Sequence, residues 1–389
     1  MVLLYLADSV YARCGDDVYG LRVFGKEFFE DYLKVFDSVV ICAREEIVDR
    51  PPAGRPQVTS DRIRFIGIPN VHGWKWMMGI NQQSRKTLEE SLAIADAVVA
   101  RVPSSLGEAG MYAARRVGKP FLGEVVGDPW DSISNYGSNP IYKLFALWYF
   151  YRFQRFVKGL DMASYVSRRV LERRYPAHAD AATEEYSSIR LPGDFILSPR
   201  TYKNSPRPIA MLCLSSFLGY KRHVDLINAC SVLKQRSIPF TLHLVGDGPT
   251  QSQIRKKVAY LGITEDVVFH GYIADPRLLL EKIDACHVTV VPSAQEGLPR
   301  SMLEGMARGL GAIGSDVGGI PDLTRDSESF ATGDYERLAD ILTEVATDPG
   351  RLSEMSAHAI GISQNYTSRI LSPRRVRMYT LLRDRVSRP

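Results

Sequence analysis

The sequence predicts an α/β protein of two parallel-sheet domains, and three observations predict it. Short, mainly apolar runs recur at 2–7, 39–43, 97–102, 208–214, 240–245 and 288–292, the last of them β-branched, and runs of that length read as buried strands. Segments with helical spacing separate them, so successive strands are joined by right-handed crossovers and lie parallel. The chain has 389 residues, enough for two cores of ordinary size, and a Pro/Gly-rich stretch at 191–207 breaks it near the middle. That stretch is the expected hinge. It leaves residues 1–195 as a first domain and 206–366 as a second.

Composition narrows the class. A hydrophobic content of 45% with 24% charged residues belongs to a soluble globular protein rather than a disordered or fibrous one. The formal charge is only +5, from 49 Lys and Arg against 44 Asp and Glu. It tolerates an anionic membrane or substrate without demanding one. No nucleic-acid-binding module is recognisable, so nucleic acid is not expected as a partner. The five cysteines, Cys14, Cys42, Cys213, Cys230 and Cys286, are scattered without a C-x-x-C pair. That usage suits a reducing cytosol and offers no zinc site. The start, MVLLYLADS, lacks the basic residues and apolar length of a secretion signal. No run of about 18 apolar residues is present to cross a bilayer, and a cytoplasmic protein is expected.

The first domain opens with the strand at 2–7, a polar loop at 8–17 holding Gly15, and a helix over 20–34. Leu21, Phe24, Phe28, Phe29, Tyr32 and Leu33 give that helix a broad apolar face. After strands at 39–43 and 64–69 comes His72-Gly-Trp-Lys-Trp76. Indole faces stack on sugar rings, which makes His72, Trp74 and Trp76 a candidate acceptor platform; packing between helix and sheet is the competing reading. A helix at 80–95, a strand at 97–102, a helix at 107–117 and a strand at 120–126 follow, the last ending in Gly127-Asp-Pro-Trp-Asp131. Such a turn sits at the carboxyl edge of a parallel sheet, where Asp128 or Asp131 can accept a hydrogen bond from a ligand. An Asp-Pro turn also needs no ligand to explain it. Residues 141–175 mix aromatics with Lys143, Arg152, Arg155 and Lys158. They form either a membrane-facing interfacial segment or a core helix with a basic rim.

The second domain begins with the strand at 208–214, a loop at 215–223 and a helix at 224–236. The strand at 240–245 turns through Gly246-Asp-Gly-Pro249 into another helix. A glycine turn at a helix start lets backbone approach a phosphate, and Gly246 is the candidate there. After strands ending at Gly271 and at Pro292, a loop carries Glu296, and Ser301 opens a helix that holds Glu304 and stops at Gly309. This loop and helix start fall at the carboxyl end of the sheet, where ligands bind. Free helix N–H groups suit a phosphate and carboxylates suit sugar hydroxyls, so the pattern fits a nucleoside diphosphate sugar. Ser301-Met-Leu-Glu304 also fits a capping box, which needs no ligand. A strand at 310–313, a helix at 333–348 and an Arg-rich helix at 367–386 complete the order.

The segment Glu296-Gly-Leu-Pro-Arg-Ser-Met-Leu-Glu304 resembles the E-x7-E signature of retaining glycosyltransferases with the GT-B fold, of the family 4 type. The flanking PS, EGMARG and SDVGGIPDL are similar to that family as well. The likeness is strong over 208–322 and one of layout before that. It implies two Rossmann-like domains facing across a cleft. The first, with 367–389 crossing back to it, would bind the acceptor, and the second the nucleotide sugar. It further implies transfer of a sugar from a UDP- or GDP-linked donor to a saccharide or lipid-linked hydroxyl, with retained configuration, in bacterial polysaccharide or glycolipid assembly on the cytosolic membrane face. Neither a metal nor a tightly bound cofactor is implied.

The resemblance also assigns residues. Glu296 would hold the sugar and Glu304 the ribose, with Gly297, Leu298, Arg300 and Ser301 lining the donor between them. Lys221 matches the family's diphosphate lysine. Ser216 stands where its arginine is expected, and Arg222 is the candidate substitute. Gly15 falls at the family's phosphate-approaching loop, Tyr272 and Ile273 at the strand that flanks the base, and Asp128 where a histidine near the transferred sugar is common. An NDP-sugar epimerase of the same fold and a sugar-nucleotide-binding scaffold without activity are the alternatives.

Overall fold

The computed structural model describes residues 1–20, 24–71, 79–134 and 140–386. The chain divides into two compact units. Met1–Gly127, Phe150–Ser188 and Ser372–Pro389 form one; Asp128–Tyr149 and Ile189–Leu371 form the other.

Among the described residues the first unit has strands β1 (Val2–Cys14), β2 (Asp17–Tyr19), β3 (Ser38–Ile47), β4 (Ile63–Pro69), β5 (Ala97–Val102), β6 (Phe121–Val125), β7 (Met162–Tyr165) and β8 (Ala182–Glu185). The sheet order is β4-β3-β1-β5-β6-β7-β8, with β2 paired to β1. Apart from the β1–β2 hairpin every pairing is parallel. The second unit has β9 (Ile209–Leu214), β10 (Phe240–Val245), β11 (Val267–Gly271), β12 (Val288–Val291), β13 (Gly311–Ser315) and β14 (Ser329–Phe330), all parallel, in the order β11-β10-β9-β12-β13-β14. These are the two α/β sheets that the alternation of strand and helix predicts. In each, the strand order reverses beside the first strand, between β1 and β5 and between β9 and β12. At such a reversal the carboxyl-end loops diverge and leave room for a ligand.

Among the described residues the α-helices are α1 (Glu30–Leu33), α2 (Gln82–Ala93), α3 (Ser105–Arg116), α4 (Pro129–Ser134), α5 (Pro140–Lys158), α6 (His223–Gln235), α7 (Gln251–Tyr260), α8 (Pro276–Asp284), α9 (Arg300–Ala307), α10 (Tyr335–Thr347), α11 (Pro349–Gln364) and α12 (Ser368–Val386). Periodicity leaves β8, β14 and α11 unmarked. Among the described residues no helix is long and apolar enough to cross a membrane.

Strand β1 corrects the sequence reading. The polar loop expected at 8–17 is strand as far as Cys14. An irregularity between Ala7 and Val10 shifts the register, and Val10–Arg13 go on to pair with Arg44–Ile47 of β3. Val10 and Tyr11 favour a strand intrinsically, and an Arg13–Glu45 ion pair at 2.8 Å links the neighbours. Gly15 and Asp16 form the two-residue turn of the β1–β2 hairpin. The helix expected over 20–34 is reduced to a 3₁₀ turn, Lys26–Phe29, running into α1; Leu21 lies outside the described residues. Phe24, Phe28, Phe29 and Tyr32 are nevertheless buried. Phe28, Phe29 and Tyr32 meet Tyr5 edge-on, with ring centroids 5.8, 5.1 and 5.7 Å away.

One carboxylate organises the interior of this unit. Glu124 of β6 is buried, and its Oε1 accepts hydrogen bonds from the hydroxyls of Tyr32 (3.0 Å), Tyr186 (3.1 Å) and Tyr379 (3.0 Å). Tyr379 comes from α12. From the same helix Arg375 pairs with Asp31 of α1 at 2.7 Å, both side chains buried. Burial alone would raise the Asp31 pKa; hydrogen bonds from Lys34, Ser372 and Arg375 outweigh it and hold the carboxyl at about 2. The last helix is thereby packed into the first unit, as expected.

In the second unit Met211, Leu242, Val290 and Ile313 of the sheet pack with Leu226, Leu233, Leu338 and Leu342 of the helices. The stretch expected as a hinge, 191–207, belongs to this unit. Arg200 donates to the carbonyls of Cys286 (2.5 Å) and Arg308 (3.0 Å). The backbone N–H groups of Arg200 and Tyr202 donate to Ser356 (2.8 Å) and Ser353 (2.9 Å) of α11.

Candidate active site

The strand reversal of the second sheet brings two loops together. The loop after β9 ends in a 3₁₀ turn, Gly219–Lys221, and α6 begins at once, with Arg222 held at φ 48° between them. The loop after β12 runs to α9. The Ala294 N–H donates to the Tyr220 carbonyl at 2.7 Å, and Lys221 Nζ donates to Glu296 Oε1 at 2.5 Å. Only 17% of the Lys221 side chain and 10% of Glu296 are exposed. Burial alone would lower the lysine's pKa; the facing carboxylate outweighs it and raises it. Two residues 75 positions apart in sequence thus form one ion pair at the carboxyl end of the sheet.

The segment after β13 supports this loop from behind. A Cβ on Gly318 (φ 53°) would lie 2.0 Å from the Glu296 carbonyl oxygen, so the position accepts only glycine. The Gly319 N–H donates to the Gly297 carbonyl at 2.5 Å. The Gly318 N–H donates to Asp131 Oδ2 at 3.0 Å. Asp131, in the turn after β6, is thereby joined to the segment that backs the Glu296 loop. Asp128 is fully buried, and its Oδ1 accepts from the Trp130 N–H at 2.8 Å, closing the start of α4. The sequence reading gave Gly318 and Gly319 no role; the doubled glycine just beyond a strand was the available signal.

Helix α9 starts at Arg300, behind Pro299, and no side chain caps it. The capping box that Ser301 and Glu304 would make is absent. Pro299 already has the fixed backbone that precedes a helix, so the helix begins one residue early and Ser301 lies inside its first turn. Glu304 falls in the second turn. Burial raises its pKa, and Arg300 offsets this only in part.

The other candidates are distributed around this centre. A Cβ on Gly246 (φ 136°) would lie 2.1 Å from the Ser215 carbonyl, so glycine there lets the β10 turn press on the β9 loop. The Gly246 N–H donates to the Gly271 carbonyl at 2.8 Å. Next in sequence, Tyr272 is exposed and Ile273 packs on the Ile283 and Cys286 cluster of the second unit. Ser216 is exposed. The Arg222 guanidinium is engaged by both Asp225 oxygens, at 2.5 and 2.9 Å. Leu298 lies against Gly319. Gly15 lies at the hairpin tip of the first unit, and His72, Trp74 and Trp76 lie outside the described residues. Among the described residues no group of three or more His, Cys, Asp and Glu side chains could hold a metal ion.

One residue behind the site was not singled out from sequence. His223, the first residue of α6, stacks on Phe217 at 4.2 Å, and its Nε2 lies 3.1 Å from Ser215 Oγ. Burial, and then the charge of Lys221, lower its pKa to about 4. It is neutral at physiological pH, so the positive charge at this loop's end comes from Lys221 and Arg222, the latter paired with Asp225.

Residues 198–361 match the family described as glycosyl transferases group 1. Protein CapJ of Staphylococcus aureus is 25% identical over 343 residues, covering 88% of this chain and 85% of CapJ. A GDP-mannose-dependent alpha-(1-6)-phosphatidylinositol monomannoside mannosyltransferase of Mycobacterium tuberculosis is 27% identical over 221 residues, 52% of this chain and 57% of that enzyme. Among solved structures, sucrose-phosphate synthase from Thermosynechococcus elongatus superposes with a TM-score of 0.70 at 15% identity, over 99% of each chain. Anabaena HepE in complex with UDP-glucose does so at 0.62 and 15%, over 100% of this chain and 99% of that one. At such identities the structural likeness speaks to fold, while the family match falls on the half that carries Lys221, Glu296 and Glu304. Residues 198–361 are thus similar to the group 1 glycosyl transferases, and the whole chain shares the fold of sucrose-phosphate synthase and HepE.

Proposed function

We propose that this chain moves a sugar from a nucleoside diphosphate sugar to a hydroxyl group, retaining the anomeric configuration. The donor binds the second domain, residues 206–366, and the acceptor the first, residues 1–195 with 367–389. The observation that carries the reading is the Lys221–Glu296 pair at 2.5 Å, beside the start of α9. When the donor enters, its diphosphate takes over Lys221 and the first amides of α9. Glu296 is then released to the sugar hydroxyls, and Glu304 accepts from the ribose. Tyr272 and Ile273 border the base.

As the bond from the anomeric carbon to phosphate breaks, positive charge grows on the sugar and negative charge on the leaving diphosphate. Lys221 and the helix amides stabilise the latter. The departing phosphate takes the acceptor's proton, so no enzyme nucleophile is needed, and with that positive charge in place the step proceeds without a metal. Asp131 acts by holding the Gly318 amide behind the Glu296 loop. Asp128, engaged at the start of α4, shapes the turn.

UDP- and GDP-sugars are the donors to test first. The HepE structure holds UDP-glucose, and the mycobacterial relative is named for GDP-mannose and a phosphatidylinositol mannoside. That second name supports a lipid-linked acceptor, reached by a cytoplasmic protein attached peripherally to an anionic membrane. Incubation with radiolabelled donors, lipid extract and EDTA tests the reading. Label passing into the lipid fraction despite EDTA is expected. Conversion of the free donor to an epimer would replace transfer with isomerisation, and binding without turnover would leave a scaffold.

A further inference from the structure

Helix α5 turns an apolar face to solvent. Ala146, Tyr149, Phe153, Phe156 and Val157 are buried and form its inner side. On the outer side Ile141 is 62% exposed, Leu144 68%, Leu147 43%, Trp148 44% and Tyr151 60%. Ile141, Leu144, Trp148 and Tyr151 recur at steps of three and four, which aligns them in one stripe about 15 Å long. Arg155 and Lys158, both exposed, continue the same stripe, and Lys143 flanks it. The helix contains no acidic residue. Its Arg152 is engaged by the buried Glu108 at 2.6 Å and so belongs to the interior. The segment that follows β7 adds exposed Arg169 and Arg173, while its Arg168 is engaged by Glu172 at 3.2 Å. It is packed on α5 through Tyr175, whose ring lies 5.3 Å from Phe150 and 4.9 Å from Phe153.

A contiguous apolar stripe of this kind on a soluble domain marks an interaction surface. Charge selects its occupant. Basic side chains at one end and beside the stripe, with no acidic residue on the helix, suit a surface rich in phosphate. Leucine and tryptophan flanked by lysine and arginine is the composition of a helix lying in a bilayer interface. The helix is not apolar enough to cross the bilayer.

We propose that α5 docks this protein on an anionic bilayer. The helix lies along the surface, with Leu144, Leu147 and Trp148 at the headgroup–acyl boundary and Arg155 and Lys158 against lipid phosphates. The inference rests on the membrane-borne acceptor reading for its purpose, and its test is independent of turnover. The full chain is sedimented with vesicles of phosphatidylcholine alone or mixed with phosphatidylglycerol, at low and high salt. Binding is expected only with phosphatidylglycerol, and it weakens as salt screens the charges. Leu144→Asp, and separately Arg155→Glu with Lys158→Glu, each lower partitioning more than about tenfold. Trp148→Phe removes the fluorescence blue shift that vesicles induce.

UDP and GDP affinities of the same variants in solution stay at the wild-type level, which shows that the fold and nucleotide site are intact. No sedimentation at low salt, or sedimentation indifferent to these substitutions, overturns the docking. So does a concentration-dependent dimer, without vesicle binding, that Leu144→Asp dissolves; it would assign the face to a second copy of the chain. Normal vesicle binding with no affinity for either nucleotide would instead sink the glycosyltransferase reading and leave the docking standing.

Discussion

Replacing Glu304 with Gln separates a ligand-binding carboxylate from a structural one. Helix α9 begins behind Pro299 with no side-chain cap, so Gln at 304 costs no bond at the helix start. Burial raises the Glu304 pKa. A folded-state pKa above the unfolded value of about 4.3 means that the group favours the fold below that pH. The contribution is lost as pH rises through the folded pKa. At neutral pH the buried charge therefore works against folding, and Gln removes it. The ligand-free Glu304→Gln variant is expected to melt at or above the wild-type Tm at pH 7, with the difference closing on acidification. With nucleotide the order reverses. A hydrogen bond to a charged group contributes roughly 1.5–3 kcal/mol, so UDP or GDP should bind roughly ten- to a hundredfold more weakly. Scanning fluorimetry gives the Tm and titration calorimetry the affinity. A lowered Tm together with unchanged nucleotide affinity refutes the reasoning.

Three other substitutions probe the remaining features. Lys221→Met removes the amine that faces Glu296 and should cut turnover roughly a hundred- to a thousandfold, as measured with labelled donor. His223 has its pKa lowered from 6.5 to about 4, so the stability it supports is complete above pH 6.5 and lost as pH falls through 4. The unfolding free energy of His223→Gln should vary less across that window than the wild type's, by on the order of 3 kcal/mol in total; parallel curves would exclude the histidine as the cause. Tyr379→Phe deletes one of three hydroxyls on Glu124 and should lower stability by about 1–3 kcal/mol in urea unfolding, with faster amide exchange in residues 372–386.

The second unit was the more legible half because its strands are short, apolar and evenly spaced. Its E-x7-E loop is contiguous in sequence, so Glu296 and Glu304 could be singled out before any distance was known. The Asp131–Gly318 bond spans 187 positions, and no local pattern reports a contact of that separation. Ser301-x-x-Glu304 satisfied a local capping rule that the neighbouring Pro299 overrides. In the first unit Asp8, Asp16 and Asp17 made a strand and hairpin look like loop, because polarity was weighed above the β-forming Val10-Tyr11 and its neighbour β3. Helix α5 is apolar on nearly every side, so periodicity could not say which face is covered; exposure at Leu144 and Trp148 settles that.

The first unit is assembled from three separate stretches, and residues 189–371 of the second are synthesised before the last of them. Asp31 and Glu124 leave the ribosome early, yet Arg375 and Tyr379, which engage them at 2.7 and 3.0 Å, arrive some two hundred and fifty or more positions later. The second unit, whose strands β9–β14 follow one another without interruption, can close in the interval. Maturation therefore runs against the direction of translation: the half that is begun first is finished last. Until α12 arrives, the nascent first unit carries a buried-type carboxylate pair, Asp31 and Glu124, without its full complement of donors. A chain that stops before residue 375 therefore lacks the donors that Arg375 and Tyr379 bring to Asp31 and Glu124.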